Sequence, residues 1–223
     1  MTPLILAIDT TDQRGSLALV RANEILEEVE LEAPDGFAHV IYGHLEALLE
    51  RHGVRLPDVA CFASAAGPGS FTGVRVGLAC IKGLAEACGR PAVAISNLQA
   101  MAWFGSAPLR AAVMDARREE VYRAVYDSGG RIIVPETVGT FAPWLETVPE
   151  QGLEFVYSGF PAFRTLLAGT RWEQVPALAA PRALARAIAR IAACRLARGE
   201  AQDPASLDAN YVRRSDAELL WKE

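Results

Sequence analysis

The chain has 223 residues, of which 51% are hydrophobic and 22% are charged, and its net charge is −5 with a pI of about 5.4. This composition argues against a disordered chain and predicts a sizeable core, in one larger domain or two small lobes. The negative net charge argues against a protein that grips RNA or DNA alone through a basic face, so a nucleic-acid role would need a partner.

Cysteine usage and the first residues predict a cytoplasmic protein. The four cysteines (Cys61, Cys80, Cys88 and Cys194) lie far apart in apolar runs and form no CxxC pair, which is typical of reduced core residues. Asp9 interrupts the first apolar run and no basic residue precedes it, so we expect no signal peptide. No stretch is long enough to span a membrane.

The first half of the chain predicts three strands followed by helices and further strands. Apolar runs and alternation predict strands at residues 4–8, 16–20, 25–31, 59–64 and 92–95. Apolar residues at helical spacing predict helices at residues 37–52 and 74–88. Ser96 is the expected cap of a short helix through Trp103.

The second half repeats this order of elements. Strands are predicted at residues 111–114, 121–126 and 132–138 and near 155–157, and helices at residues 161–168, at 181–198 and from Ser215 onward. This repeated order of elements predicts an α/β fold of two related lobes with a crevice between them. The first lobe, residues 1–105, holds a glycine-rich loop and docking helices. The second is residues 106–223, and its last helix is a candidate to pack back on the first lobe.

The most informative stretch is the glycine-rich loop Gly67-Pro68-Gly69-Ser70-Phe71-Thr72-Gly73, which joins a predicted strand to a predicted helix. Glycines let the backbone approach a ligand, and a helix N-terminus offers free N–H groups. One interpretation is therefore a nucleotide- or anion-binding loop that uses Gly67, Gly69, Ser70, Thr72 and Gly73. The other is that the glycines only permit a tight turn with close helix packing. The stretch matches neither a Walker A loop nor a dinucleotide fingerprint.

Asp9, Thr10 and Thr11 follow the first predicted strand directly. Ligands bind at the carboxyl ends of strands in open α/β sheets, so these three residues predict a hairpin that faces a phosphate or a metal ion. The alternative interpretation is that they only satisfy backbone groups of the turn.

The helix predicted at residues 74–88 has one charge in the ten residues from Val76 to Ala85, and small residues on several sides. A helix that is apolar all round is either fully buried or faces a partner. Together with Gly43 and Ala47 on the preceding helix, it predicts a helical docking surface, with core burial as the alternative.

The sequence offers no obvious catalytic or metal-binding set. His39, His44 and His52 lie on or just after one predicted helix, and the first two are about 140° apart around it. A shared metal is therefore not predicted, and there is no His-Glu-x-x-His motif.

Four segments together resemble the TsaB family, also called YeaZ: residues 5–11, 67–77, 114–122 and 211–213. The resemblance runs in order over nearly the whole chain, and the segment at 67–77 is the most specific. It implies the two-lobed fold of actin, Hsp70 and sugar kinases (ribonuclease H-like), with duplicated lobes whose mixed sheets are flanked by helices.

The resemblance also implies a function and partners. The family member is a non-catalytic subunit of the complex that forms N6-threonylcarbamoyladenosine next to the anticodon of tRNAs. Its implied partners are the catalytic paralogue TsaD, the ATPase TsaE and, in the free state, a second copy of the chain; tRNA is reached only through the complex. No cofactor of its own is implied, although ATP or ADP is expected at the complex. The implied interface residues are His39, Gly43, Ala47, Arg75, Val76, Gly77, Leu78, Ala79, Lys82 and Gly83.

Two departures from the paralogue argue against a working catalytic site. The paralogue's two metal-binding histidines are replaced here by Asn97 and Met101, which are poor substitutes for imidazoles. Its second glycine-rich phosphate loop corresponds to residues 115–118, Asp-Ala-Arg-Arg, whose backbone is expected to be less able to wrap a phosphate.

Two other functions stay open. The chain could be a kinase-like enzyme that binds or hydrolyses ATP alone, through Asp9 and the glycine-rich loop. Direct contact with tRNA is the second, because part of one helix face is basic, although such a pattern is more often a solvated face. The arginines of that face are Arg182, Arg186, Arg190, Arg195 and Arg198.

Overall fold

The computed structural model describes residues 2–22, 24–161 and 163–213. Within these residues there are two compact units, the first from the stretch 2–97 and 182–210 and the second from the stretch 98–181 and 211–213. The predicted boundary after residue 105 differs from this division in two places. Leu98 and Ala102 pack with Ala112, Ala124 and Tyr126 of the second unit, whereas residues 182–210 return to the first. The helix predicted from Ser215 lies outside the described residues.

The first unit is built on a mixed sheet. Its strands are β1 (Leu4–Asp9), β2 (Arg14–Arg21), β3 (Glu24–Glu32), β4 (Cys61–Ala65) and β5 (Ala92–Ile95), and its helices are α1 (Ile41–Arg51), α2 (Phe71–Cys88) and α6 (Ala185–Ala197). Short 3-10 helices cover Phe37–His39, Leu56–Asp58 and Pro204–Ser206. The strand order is β3-β2-β1-β4-β5; the first three strands run antiparallel, and β4 and β5 run parallel to β1.

The second unit repeats this arrangement. Its helices are α3, which begins at the boundary (Asn97–Ala102), α4 (Phe141–Leu145) and α5 (Phe163–Leu167), and its strands are β6 (Leu109–Asp115), β7 (Glu120–Asp127), β8 (Ile132–Thr140), β9 (Leu153–Ser158) and β10 (Ala177–Ala179). The order β10-β9-β6-β7-β8 is the first sheet's order read in reverse, with the same senses. The predicted duplicated α/β fold with mixed sheets is therefore confirmed. Sequence periodicity missed α4 and β10, which have five and three residues.

Helices cover both faces of the first sheet. Every residue of β1 is buried, as a continuous apolar run predicts for a central strand. Leu6 and Ile8 belong to the core cluster that includes α1 and α2. Because side chains alternate along a strand, Ile5 and Ala7 point to the other face. There α6, which packs against β1, β2 and β4, buries Ile188.

Several helix starts differ from the prediction: the helix predicted at residues 37–52 begins at Ile41, after a 3-10 helix, and the one predicted at residues 161–168 begins at Phe163. The helix predicted at residues 74–88 begins at Phe71, because the Ser70 hydroxyl accepts a hydrogen bond from the backbone N–H of Gly73 (3.2 Å) and caps the first turn. The helix predicted at residues 181–198 is shorter at its start and begins at Ala185.

Candidate functional site: the glycine-rich loop and the α1–α2 surface

The carboxylate of Asp9 lies at the end of β1 and is almost fully buried, with 2% of the residue exposed. Its Oδ1 accepts hydrogen bonds from the backbone N–H (2.9 Å) and the hydroxyl (2.6 Å) of Thr11. Burial raises the pKa of Asp9 above its usual value, and the hydrogen bonds from Thr11 oppose this shift. Thr10 and Thr11 are buried as well, so the three residues form a closed turn, called the Asp9 turn below.

The glycine-rich loop packs directly on the Asp9 turn. The backbone N–H of Ser70 donates to the carbonyl of Thr11 (2.7 Å), and the Thr10 hydroxyl donates to the carbonyl of Gly73 (2.7 Å). A Cβ on Gly69 would lie 2.6 Å from the Thr11 carbonyl oxygen, and one on Gly73 would overlap that of Thr10. Both positions therefore require glycine for close approach within the protein.

Asn97 joins the loop to the turn. Its Oδ1 accepts from the backbone N–H of Gly67 (2.9 Å), and its Nδ2 donates to the Thr11 hydroxyl (2.5 Å). Its own N–H donates to the Gly67 carbonyl (2.9 Å), and the residue is buried. Both ends of the Asn97 amide are therefore engaged inside the first unit. We did not predict this role from the sequence. Gly67 and Asn97 come together because they follow β4 and β5, which are neighbouring parallel strands.

The structure brings the predicted nucleotide- or anion-binding residues together, but at different depths. The Asp9 turn, Gly67 and Gly73 are buried, whereas Gly69, Ser70 and Thr72 are exposed at the start of α2. The observed contacts are those expected from the close-packing interpretation. Binding of an anion or a nucleotide stays a prediction.

The outward faces of α1 and α2 form an exposed patch, which we call the α1–α2 surface and define by Tyr42, Gly43, Phe71, Arg75, Ala79 and Gly83. Tyr42 is 57% exposed and Phe71 45% exposed. The guanidinium of Arg75 stacks on the Phe71 ring, 3.6 Å from its centroid. A Cβ on Gly43 or Gly83 would meet no atom within 4 Å.

The predicted interface residues divide by depth. His39 is exposed beside this surface; Ala47, Val76 and Lys82 are partly buried, and Lys82 donates to the carbonyl of Ala205 (3.3 Å). Gly77 and Leu78 point into the core and do not lie on the surface. Sequence reasoning missed Tyr42 and Phe71. The signal for Tyr42 was an aromatic residue on the polar side of an amphipathic helix.

The β6–β7 connection corresponds to the Asp9 turn in the repeated topology, and its backbone differs from the expectation. Three successive residues, Arg117, Arg118 and Glu119, have φ values of 60°, 55° and 63°. The left-handed conformation that glycines favour is therefore present here without glycine.

The arginines predicted as a basic face are partly engaged within the first unit. Arg186 forms an ion pair with Glu28 (3.5 Å), and Arg195 donates to the carbonyl of Ala94 (3.1 Å). Burial raises the pKa of Glu28, while the Arg186 backbone and charge lower it. Two of the five arginines thus have structural contacts.

The histidines do not converge on a metal site. His39 and His44 are exposed, and His52 contacts Glu27 (2.8 Å between Nε2 and Oε2). Among the described residues, no group of three His, Cys, Asp or Glu side chains is arranged to hold a metal ion. In the same part of the chain, no helix combines the length and apolar character needed to cross a membrane.

Two units with the same mixed-sheet topology, each with flanking helices, define a duplicated α/β protein. Residues 31–206 match the family model described as "TsaD: tRNA N6-adenosine threonylcarbamoyltransferase". The TsaB protein of Escherichia coli is 34% identical over 180 residues, which are 78% of this chain and 74% of that protein.

The TsaB protein of Haemophilus influenzae is 36% identical over 151 residues, 66% of this chain and 62% of that protein's length. The solved structure of YeaZ from Pseudomonas aeruginosa superimposes with a TM-score of 0.75 at 28% identity, and the match covers 94% of this chain and 99% of that one. The chain belongs to the TsaB (YeaZ) family.

Proposed function

We propose that this chain is a non-catalytic subunit of the cytoplasmic machinery that forms N6-threonylcarbamoyladenosine next to the anticodon of tRNAs. In this proposal the α1–α2 surface docks onto the TsaD-like transferase, a TsaE-like ATPase joins the pair, and ATP or ADP acts at the complex. The TsaB relatives are named as tRNA threonylcarbamoyladenosine biosynthesis proteins, which supports the pathway. The single structural observation that supports docking is the exposed, largely uncharged α1–α2 surface.

The composition of the α1–α2 surface suits helix-to-helix docking. Tyr42, Phe71 and Arg75 are residue types that are enriched at protein–protein interfaces relative to the rest of the surface. Gly43 and Gly83 leave open space above the two helices, so a partner helix can approach closely. A second copy of the chain offers the same surface, which supports a homodimer of the free protein through a self-complementary contact.

The contacts beside the Asp9 turn support a subunit without its own chemistry. The Asp9 carboxylate accepts two hydrogen bonds from Thr11, and the Asn97 amide is engaged at both ends. Met101, at the second ligand position of the paralogue, is fully buried. These side chains hold the glycine-rich loop in place, which is a structural task.

The docking proposal is tested by co-purification and calorimetry with the transferase paralogue. Ala79→Glu and Gly83→Glu place a charge on the α1–α2 surface, and we expect each to weaken the complex by at least about tenfold. Ala197→Glu is the matched control, since Ala197 is an exposed residue of α6 on the other face of the same sheet. Gly77→Arg is unsuitable, because a Cβ at Gly77 already lies 2.7 Å from the Thr10 hydroxyl and would disturb folding.

Two outcomes would overturn the proposal. Unchanged assembly in both glutamate variants would show that the α1–α2 surface is not the docking site. ATP turnover by the purified chain alone, if it disappeared in Asp9→Ala, would support the kinase-like alternative in place of the non-catalytic subunit.

A further inference from the structure

The turn between β6 and β7 has an unfavourable backbone conformation. Arg117, Arg118 and Glu119 are successive non-glycine residues with φ near +60°, where the Cβ approaches the following carbonyl oxygen. Such residues normally occur singly and persist only when surrounding contacts determine them. All three side chains are exposed, so burial of these side chains does not account for the conformation.

Local hydrogen bonds close this turn but are of the ordinary kind. The N–H of Arg117 donates to the Asp115 carboxylate (2.7 Å), and the N–H of Glu120 donates to the carbonyl of Arg117 (3.0 Å). The N–H of Ala116 donates to the carbonyl of Glu120 (3.0 Å). Short turns between strands commonly form such bonds with glycine or asparagine at the left-handed positions.

A residue far along the chain connects the two ends of the turn. Arg213 donates from Nη1 to the carbonyl of Ala116 (2.9 Å), just before the left-handed residues, and forms an ion pair from Nη2 with Glu120, just after them. Its guanidinium also lies over the Tyr122 ring, 5.5 Å from the centroid. The side chain is only 21% exposed, so these charge-assisted bonds are partly shielded from water.

We propose that the β6–β7 turn is a two-state element and that Arg213 is the catch that holds it in the left-handed state. While Arg213 bridges Ala116 and Glu120, the turn presents the side chains of Arg117, Arg118 and Glu119 in one arrangement. When Arg213 leaves, the backbone relaxes and that arrangement is lost. Arg213 is thus a positioning residue for this turn. This inference goes beyond the proposed function and does not depend on it.

Hydrogen–deuterium exchange of the full chain tests the catch. In Arg213→Ala we expect the amides of Ala116 and Glu120 to exchange at least about tenfold faster, because a charge-assisted bridge is lost while the sheet stays folded. Arg213→Lys, whose ammonium lacks the forked geometry, should give an intermediate increase. Amides of β6 and β9 serve as the internal reference and should keep their protection.

Two glycine substitutions test whether Arg213 opposes backbone strain or only forms an ordinary ion pair. Arg118→Gly with Glu119→Gly removes the strain at two of the three left-handed positions, so in the Arg213→Ala background this pair should restore much of the lost protection. Arg131→Ala is the matched control: Arg131 pairs with Asp127 (2.7 Å) at the β7–β8 turn, where the left-handed residue is already glycine, Gly130. Its loss should leave the amides of Ala116 and Glu120 unchanged.

Three results would overturn the inference. Unchanged exchange of the two turn amides in Arg213→Ala would show that Arg213 does not hold the turn. An equal increase across β6 and β9 would show a general loss of stability. Failure of the glycine pair to restore protection would show that backbone strain is not what Arg213 opposes.

Discussion

Two glycines of α2 should respond oppositely to the same substitution. Gly77 lies on the buried side of the helix, where an added Cβ would be 2.7 Å from the Thr10 hydroxyl oxygen and 2.9 Å from that of Ser64. Gly83 lies on the exposed side, and an added Cβ there would meet no atom within 4 Å. Replacing each by alanine therefore compares two sites in one helix that differ in the space above them.

The expected magnitudes follow from helix propensity and packing. Alanine is favoured over glycine in a helix interior by about 0.8–1.0 kcal/mol, so Gly83→Ala should stabilise the protein by about that amount. Gly77→Ala has the same gain, but over-packing costs about 1–3 kcal/mol. Displacing the Thr10 hydroxyl from the Gly73 carbonyl costs about 1 kcal/mol more. The net effect at Gly77 is a loss of roughly 1–3 kcal/mol.

Urea unfolding followed by far-ultraviolet circular dichroism measures both changes. The free energies should be compared at several protein concentrations, because Gly83 belongs to the α1–α2 surface and self-association would shift the unfolding midpoint. A Gly77→Ala variant as stable as the parent would refute the packing argument at the Asp9 turn. A destabilised Gly83→Ala variant would show that its apparent open space is filled by a partner or by the chain itself.

Three further predictions concern buried polar groups and thiols. Burial raises the pKa of Asp9 in the folded state above its pKa in the unfolded state. As the pH rises between these two pKa values, the wild type should therefore lose stability relative to Asp9→Asn, by at most about 1.4 kcal/mol per pH unit. A difference in urea unfolding that does not depend on pH would contradict this. Asn97→Ala should lower the free energy of unfolding by roughly 2–3 kcal/mol, because it leaves the buried N–H of Gly67 without its acceptor and removes the donor to the Thr11 hydroxyl; a loss below about 0.5 kcal/mol would contradict this. Alkylation of the native protein at about pH 8 should modify exposed Cys194 well before the buried Cys61 and Cys80. Burial raises the pKa of the Cys61 thiol to about 12 and that of the Cys80 thiol to about 11. Equal alkylation rates, measured by mass spectrometry, would show that the core opens.

The order of the elements could be predicted because it follows from patterns among residues that are close in sequence. Strands β1 to β3 and β6 to β8 are hairpin meanders, whose alternation and turn residues lie within a few positions of each other. The parallel strands β4, β5 and β9 follow as short apolar runs. The duplication could therefore be inferred although the two units share the order of their elements and little obvious sequence.

The start of α6 shows what local patterns omit. The prediction placed it at Pro181, the usual position for proline in a helix. In the structure the N–H of Ala185 donates to the Ser16 hydroxyl (3.1 Å), and that of Arg186 donates to the Glu28 carboxylate (2.8 Å). The groups that cap this helix come from strands more than 150 residues earlier, so only the folded unit defines where it begins.

The glycine-rich loop was ambiguous in sequence for a physical reason. Close approach to a backbone requires a residue without a Cβ, whether the approaching group is a ligand or another part of the chain. The sequence therefore shows that something approaches these glycines closely, but not which group does so. In the structure the approaching groups at Gly69 and Gly73 are the carbonyls of Thr11 and Thr10.

These contacts connect the motif to the proposed docking surface. Because Gly73 lies against the Thr10 carbonyl and Gly77 against the Thr10 and Ser64 hydroxyls, the rotation of α2 about its own axis is determined by two close approaches on one side. The opposite side must then carry Arg75, Ala79 and Gly83 outward. Gly77→Ala, the milder of the possible changes on this side, should therefore weaken docking without touching the partner, by turning α2, whereas Ala79→Glu should weaken docking with α2 in place. Amide exchange along α2, altered in the first variant and unaltered in the second, distinguishes these two routes.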